Sequence, residues 1–175
     1  MNQAPTSRGA AAEPDLSNST ILVVDDNLQN LELLAAYLEE LPCRILTAGD
    51  GLEAMDIVEH EQVDLILLDV MMPRMSGFEV CKKLKGSPNT RSIPVIMVTA
   101  LNELGDIERG VECGTDDFLS KPVKKLELVT RVKSLLRVRH LKRELDQTLA
   151  YLDRADAARL GGDGDDEDHD GVAPA

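Results

Sequence analysis

Three short aliphatic runs constrain this chain more than any other feature: ILVV at 21–24, LILL at 65–68 and VIMV at 95–98. They are too brief for helices, and an unbroken apolar run, as opposed to an alternating one, marks a strand covered on both faces. Such strands need a sheet with helices above and below it. Two weaker candidates, Arg44–Ala48 and Asp117–Ser120, bring the expected strands to five. Helix-length segments lie between the strands, with start signals of the expected kind. Asn27 opens LQNLELLAAYLEEL, Asp50 with Glu53 and Ser76 with Glu79 have the spacing of a capping box, and Asn102 is placed to cap the segment ending at Gly110–Gly114. Five strands alternating with five helices specify an α/β doubly wound parallel sheet with right-handed crossovers.

Composition narrows the function classes. Aromatic residues make up 2% of the 175 residues and Trp is absent, so the core has to be aliphatic. Net charge is −13 but unevenly spread: residues 161–175 hold six acids and no Lys or Arg, whereas 121–143 carry nine Lys or Arg against Glu127 alone. The body, 21–139, stays net acidic, which argues against a nucleic-acid partner. No stretch approaches the roughly 18 apolar residues of a membrane span, and residues 1–18 read as a disordered leader without a targeting pattern. A cytoplasmic protein is expected. Cys43, Cys81 and Cys113 lack metal-motif spacing and read as buried, reduced thiols.

The strand ends gather polar residues: Asp25-Asp26 after the first, Asp69 at the third, Thr99 at the fourth and Lys121-Pro122 after the fifth. Open α/β sheets bind ligands at this carboxyl edge. Three carboxylates brought together must take protons or share a cation, and an all-oxygen set suits Mg²⁺. Lys121 adds positive charge and Thr99 a hydroxyl, so the edge can hold a phosphoryl group during in-line transfer to a carboxylate. Asp69, a single acid followed by the turn VMMPRMSG, is the expected nucleophile, and the Asp25-Asp26 pair suits metal.

The segments VVDDN (23–27), LLDVMMPRMSGFEV (67–80), PVIMVTA (94–100) and GTDDFLSKP (114–122) resemble the receiver domain of two-component response regulators over residues 20 to about 139. The resemblance implies a flavodoxin-like strand order 2-1-3-4-5 and a Mg²⁺ cofactor. It makes Asp69 the phosphoacceptor, Asp26 a metal ligand beside Asp69, and Asp25 a residue acting largely through water. The backbone carbonyl of Met71 becomes a further ligand, Thr99 the switch hydroxyl and Lys121 the phosphate-pairing cation. A cis bond at Lys121-Pro122 is implied as well. Phe118 stands where the family often has Tyr, so a rotating ring here would be read by shape and burial alone.

The implied partners are a histidine kinase or histidine phosphotransfer protein as donor, and a downstream target protein bound around 102–112, 116–120 and 124–137. No separate catalytic domain is expected. Two other readings stay open: a phosphorylation-independent scaffold, and the regulatory remnant of a cyclase or phosphodiesterase. GxxxxGK[ST] and GxGxxG are absent, and a haloacid-dehalogenase-like phosphatase would need an Asp where Met71 stands. Apolar Met71 and Leu101 predict slow loss of the phosphoryl group to water.

Beyond Pro122 no Pro or Gly occurs until Gly161, which predicts one helix of about 35 residues and some 50 Å. The expected division is a leader at 1–18, the receiver at 19–139, a helical extension at 140–160 and a disordered acidic tail at 161–175. Val138, Leu145 and Leu152, with Leu141, Thr148 and Ala155, form a heptad stripe on the extension. Two readings of the stripe stay open: a free amphipathic helix, or a parallel homodimer. The acidic tail is expected to contact the basic helix loosely.

Overall fold

The computed structural model describes residues 15–100 and 104–160. The leader up to residue 14, Leu101, the cap expected at Asn102 and the acidic tail lie outside the described residues.

Ten elements alternate: β1 (Thr20–Val24), α1 (Leu28–Leu38), β2 (Arg44–Ala48), α2 (Gly51–His60), β3 (Leu65–Asp69), α3 (Gly77–Gly86), β4 (Val95–Thr99), α4 (Leu104–Cys113), β5 (Asp117–Ser120) and α5 (Lys125–Leu160). The strands form one sheet in the order β2-β1-β3-β4-β5. All pairings are parallel, with Val24 opposite Ala48 and Leu68, and Thr99 opposite Ser120. Every residue of β1, β3 and β4 is buried, while the edge strands β2 and β5 keep exposed positions. That difference is why three runs stand out in the sequence and two do not.

Side chains alternate across the central strands and build a core on each face of the sheet. Leu22, Val24, Ile66, Leu68, Val95 and Met97 pack with residues of α2 and α3. Ile21, Val23, Leu65, Leu67, Ile96 and Val98 pack with Leu31, Leu34 and Leu38 of α1 and Leu128, Val132 and Leu136 of α5.

The helix starts differ in one detail from expectation. Asn27 Oδ1 accepts from the Gln29 and Asn30 amides, and Ser76 with Glu79 forms the reciprocal capping box. Asp50 caps α2 through the Leu52 and Glu53 amides, but Glu53 does not complete a box. Its carboxylate reaches one residue further back, accepting from the Gly49 amide at 2.7 Å. Two further expectations are corrected. Residues 15–18 are not part of a disordered leader: Leu16 is buried in the α1/α5 core and its carbonyl accepts from the Ser19 amide, because apolar burial holds this turn against β1. Cys81 and Cys113 are buried, but Cys43, just before edge strand β2, is only half-buried; all three are free thiols.

The chain divides into two compact units after Arg139. At the end of the first, Arg139 donates to Asp64 Oδ1 (3.3 Å), the Ser92 carbonyl (2.6 Å) and the Val63 carbonyl (3.3 Å). Asp64 Oδ2 also accepts from the Thr20 amide at 3.0 Å, so a single buried carboxylate ties α5 to the start of β1. Residues 140–160 of the second unit continue as helix, exposed at nearly every described position.

Candidate functional site

The parallel order β2-β1-β3-β4-β5 points all five carboxyl ends the same way, and the polar residues expected there converge. Lys121, just past β5, donates from Nζ to Asp25 Oδ2 at 2.9 Å and to Asp69 Oδ1 at 3.0 Å. Asp25, Asp69 and Thr99 are buried. Asp26 is exposed, at the open side of the cluster. One carboxylate oxygen from each of Asp25, Asp26 and Asp69 lies within 4.8 Å of the others.

Local structure fixes each group. Asp25 Oδ1 accepts from the Asn27 amide (2.9 Å) and from Asn30 Nδ2 (3.2 Å), so the first turn of α1 holds this carboxylate in place. The Gly77 amide donates to the Val70 carbonyl, folding the β3–α3 turn back on the end of β3. A Cβ at Gly77 would lie 2.2 Å from the Asp69 carbonyl oxygen, so the turn beside the expected acceptor closes only without a side chain. Arg74, the one non-glycine residue with positive φ (69°) among the described residues, pairs with Asp50 and sits between Pro73 and Met75, whose carbonyl and amide are hydrogen-bonded. A tight turn of this kind persists where surrounding contacts hold it. Lys121 is positioned by its own amide, which donates to the Thr99 carbonyl at 2.8 Å; the Lys121-Pro122 bond that follows is cis.

The electrostatics follow from burial and crowding. Burial lifts the Asp69 carboxyl above the ordinary carboxylate value; the Lys121 hydrogen bond opposes this and the Asp25 carboxylate adds to it. Lys121 is also shifted up: burial works against its charge, but hydrogen bonds to Asp25 and Asp69 outweigh it. One ammonium among three carboxylates leaves surplus negative charge on an all-oxygen donor set, which fits a hard divalent cation such as Mg²⁺.

Met71 lies two residues past β3 and is 66% exposed. Phe118 is half-buried in β5 and, with Thr99, Val70, Phe78 and Ile107, lines a cavity of about 180 Å³. Sequence reasoning missed Asn30 and the closeness of Gly77 to Asp69. Asn30 is an ordinary helix residue by sequence; only the fold aims its amide at Asp25. Gly77 was read as a turn glycine, but its approach to Asp69 depends on β3 and α3 being joined.

The response regulator receiver domain model matches residues 21–133. Response regulator PleD of Caulobacter vibrioides is 47% identical over 130 residues, which is 74% of this chain and 29% of PleD. PhoP of Bacillus subtilis, an alkaline phosphatase synthesis transcriptional regulatory protein, is 43% identical over 120 residues, 69% of this chain and 49% of PhoP. This chain therefore spans half or less of those relatives' lengths. Among solved structures, the receiver domain of a signal transduction histidine kinase from Syntrophus aciditrophicus aligns with a TM-score of 0.65 at 41% identity, covering 68% of this chain and 90% of that one. The receiver domain of a sensor histidine kinase from Pseudomonas aeruginosa, solved with magnesium ion in its active site cleft, aligns with a TM-score of 0.63 at 31% identity, covering 67% of this chain and 97% of that one. By motif, by strand order and by these likenesses, the chain belongs to the response regulator receiver domain family.

Proposed function

We propose that Asp69 accepts a phosphoryl group from a phosphohistidine on a histidine kinase or histidine phosphotransfer protein, and that the resulting change in protein contacts is the signal. The observation behind this reading is the Lys121 ammonium bridging buried Asp25 and Asp69, with Asp26 at the open side. A phosphorylation-independent scaffold has no need of that convergence.

In the transfer, an Asp69 carboxylate oxygen attacks phosphorus in line with the histidine nitrogen. The O–P bond forms as the N–P bond breaks, and the released imidazole takes up a proton from solvent. Lys121 Nζ, already 3.0 Å from Asp69, offsets charge on the transferred oxygens, and Thr99 supplies a hydroxyl donor from the end of the adjacent strand. Burial of Asp69 limits water to the open face of the site. Asp26 and Asp69 with the Met71 carbonyl would hold Mg²⁺, with Asp25 reaching it through water; when bound, the ion neutralises charge on the phosphoryl oxygens.

The donor has an apolar approach to this site. Leu28 and Leu33 of α1 are 68% and 46% exposed, and a cavity of about 500 Å³ is lined by Asn30, Leu33, Leu34, Tyr37, Lys121, Pro122 and Val123. A helix presenting phosphohistidine can rest there with its phosphoryl group toward Lys121. The downstream target takes the α4 face, where Ile107 and Val111 are exposed. We place the chain in the cytoplasm, a location that suits its three free thiols; no described helix is long and apolar enough to cross a membrane. The stripe of Val138, Leu145 and Leu152, all more than half exposed, is the surface through which a second copy would pair if the extension forms a parallel homodimer.

Intact-mass spectrometry after incubation with Mg²⁺ and a small-molecule phosphodonor tests the chemistry. One added phosphoryl group that disappears with chelator and in Asp69→Ala is the expected result. No addition from that donor or from a panel of phosphorylated kinases would put the scaffold reading first.

A further inference from the structure

The residue in the middle of the β3–α3 turn takes a backbone conformation that its side chain disfavours. The Met75 amide donates to the Pro73 carbonyl at 2.8 Å, closing a three-residue turn on Arg74 at φ 69°. A turn of that hand is rare and strained for any residue but glycine, so neighbouring contacts have to hold it. Contacts from the start of α2 do so. Asp50 divides its carboxylate: Oδ1 accepts from the Leu52 and Glu53 amides at 2.9 Å each, and Oδ2 pairs with Arg74 Nη2. One residue on, a Cβ at Gly51 would fall 3.1 Å from Met75 Cβ and 2.7 Å from Val80 Cγ2, so α2 begins without a side chain where Met75 and α3 press against it. The turn is fixed at its ends by β3 and α3, and in its middle by α2.

We infer that Asp50 and Arg74 are positioning residues for the divalent-cation site: their ion pair holds the middle of the turn and so keeps the Met71 carbonyl, three positions before Arg74, in place. The inference rests on the phosphoacceptor reading of Asp69 and on the metal site that goes with it. Groups that orient the ligands of a metal without touching it ordinarily carry a measurable share of its affinity. Simple charge gives a different expectation. Arg74→Gln makes the surroundings of the site more negative and would favour a cation, whereas Asp50→Asn makes them more positive and would disfavour one. A tether that loses either half fails in the same way, so both substitutions should weaken the site.

The experiment compares the full chain with Arg74→Gln, Asp50→Asn, their double variant, Arg74→Lys and Arg74→Gly. Calorimetric titration with MgCl₂ reads the affinity; thermal melting and hydrogen exchange of the amides between Met71 and Ser76, both in chelator, read the turn without the metal. Asparagine remains a good helix cap, so Asp50→Asn isolates the charge on Oδ2. Arg74→Gln and Asp50→Asn should each bind Mg²⁺ at least about threefold more weakly, the double variant no more weakly than the weaker single, and Arg74→Lys within about twofold of the parent. Exchange at the Met75 amide should rise in the first three of these and not in Arg74→Lys. Arg74→Gly separates positioning from stability: glycine adopts φ near 69° without strain, so this variant should melt with the parent or above it and still bind Mg²⁺ more weakly. Arg44→Gln, which breaks the exposed pair with Glu61 at the start of β2 and the end of α2, should leave Mg²⁺ affinity unchanged.

Mg²⁺ affinity in Arg74→Gln equal to the parent's or higher would overturn the inference, as would opposite changes in the two single variants, which charge alone explains. So would a double variant whose loss is the product of the two single losses, since the two halves of one contact can be lost only once. A parent chain that takes up no Mg²⁺ would instead sink the metal reading of the site. Exchange at Met75 then judges the tether by itself, and an unchanged rate there in Arg74→Gln ends it.

Discussion

At the scale of the residue, Asp69 is held against its own charge. Burial raises its pKa, the Lys121 hydrogen bond lowers it and the neighbouring Asp25 carboxylate raises it again, with a net shift upward. The folded chain thus binds this proton more tightly than the unfolded chain. The stability contributed by the protonated form is fully present below the ordinary carboxylate pKa and is lost as pH rises through the elevated value. Asp69→Asn removes the charge and keeps the shape. It should raise the melting temperature by a few degrees near pH 7, with the gain shrinking as pH is lowered to about 4; melting curves at the two pH values check this. An unchanged or lower melting temperature at neutral pH would mean the Lys121 ion pair outweighs burial. Asp25, Asp69, Thr99 and Lys121 were legible as a group, because chemistry at four strand ends is visible once the strands are. Asn30 and Gly110 were not legible. Their importance comes from the atom that the fold brings to each, Asp25 Oδ1 five positions back in one case and the Phe118 ring eight positions on in the other, which no local pattern encodes.

At the scale of the element, the strands covered on both faces announce themselves, and the contacts between elements distant in sequence do not. β1, β3 and β4 follow from unbroken aliphatic runs, and α1, α2 and α3 from their caps. The contact that holds α5 to the base of the sheet has no such signature. Arg139 and Asp64 are 75 residues apart, and their side chains are only 14% and 9% exposed. A mostly buried ion pair of this kind is not a large net source of stability, but removing one partner leaves the other charge buried and uncompensated. Arg139→Ala should therefore lower unfolding stability by about 3 kcal/mol, read as a lower urea midpoint at unchanged slope. Adding Asp64→Asn should recover a large part of the loss, because Asn keeps an acceptor for the Thr20 amide without the stranded charge. A loss below about 0.5 kcal/mol would mark the clasp as a surface pair of the usual weak kind.

At the scale of the whole molecule, α5 takes the same residue types into two surroundings. Leu128, Val132 and Leu136 are no more than 2% exposed in the core shared with α1, whereas Leu141, Leu145 and Leu152 are 57%, 57% and 51% exposed. Periodicity alone does not separate these sets, since each is spaced to line one face of a helix; only the presence of a sheet beneath the first does. Truncation of a buried leucine forfeits its transfer free energy and leaves a cavity, so Leu128→Ala should cost about 2–5 kcal/mol at any protein concentration. Leu145→Glu removes nothing from that core and should leave stability in dilute solution within about 0.5 kcal/mol of the parent. Concentration is the discriminating variable. If the stripe pairs with a second copy, the parent's melting temperature rises with concentration by mass action, and that dependence vanishes in Leu145→Glu. Sedimentation of the same samples should then show a concentration-dependent dimer in the parent and a monomer in the variant. Identical monomers in both would leave α5 beyond Arg139 a free amphipathic helix and remove the homodimer from the proposed function.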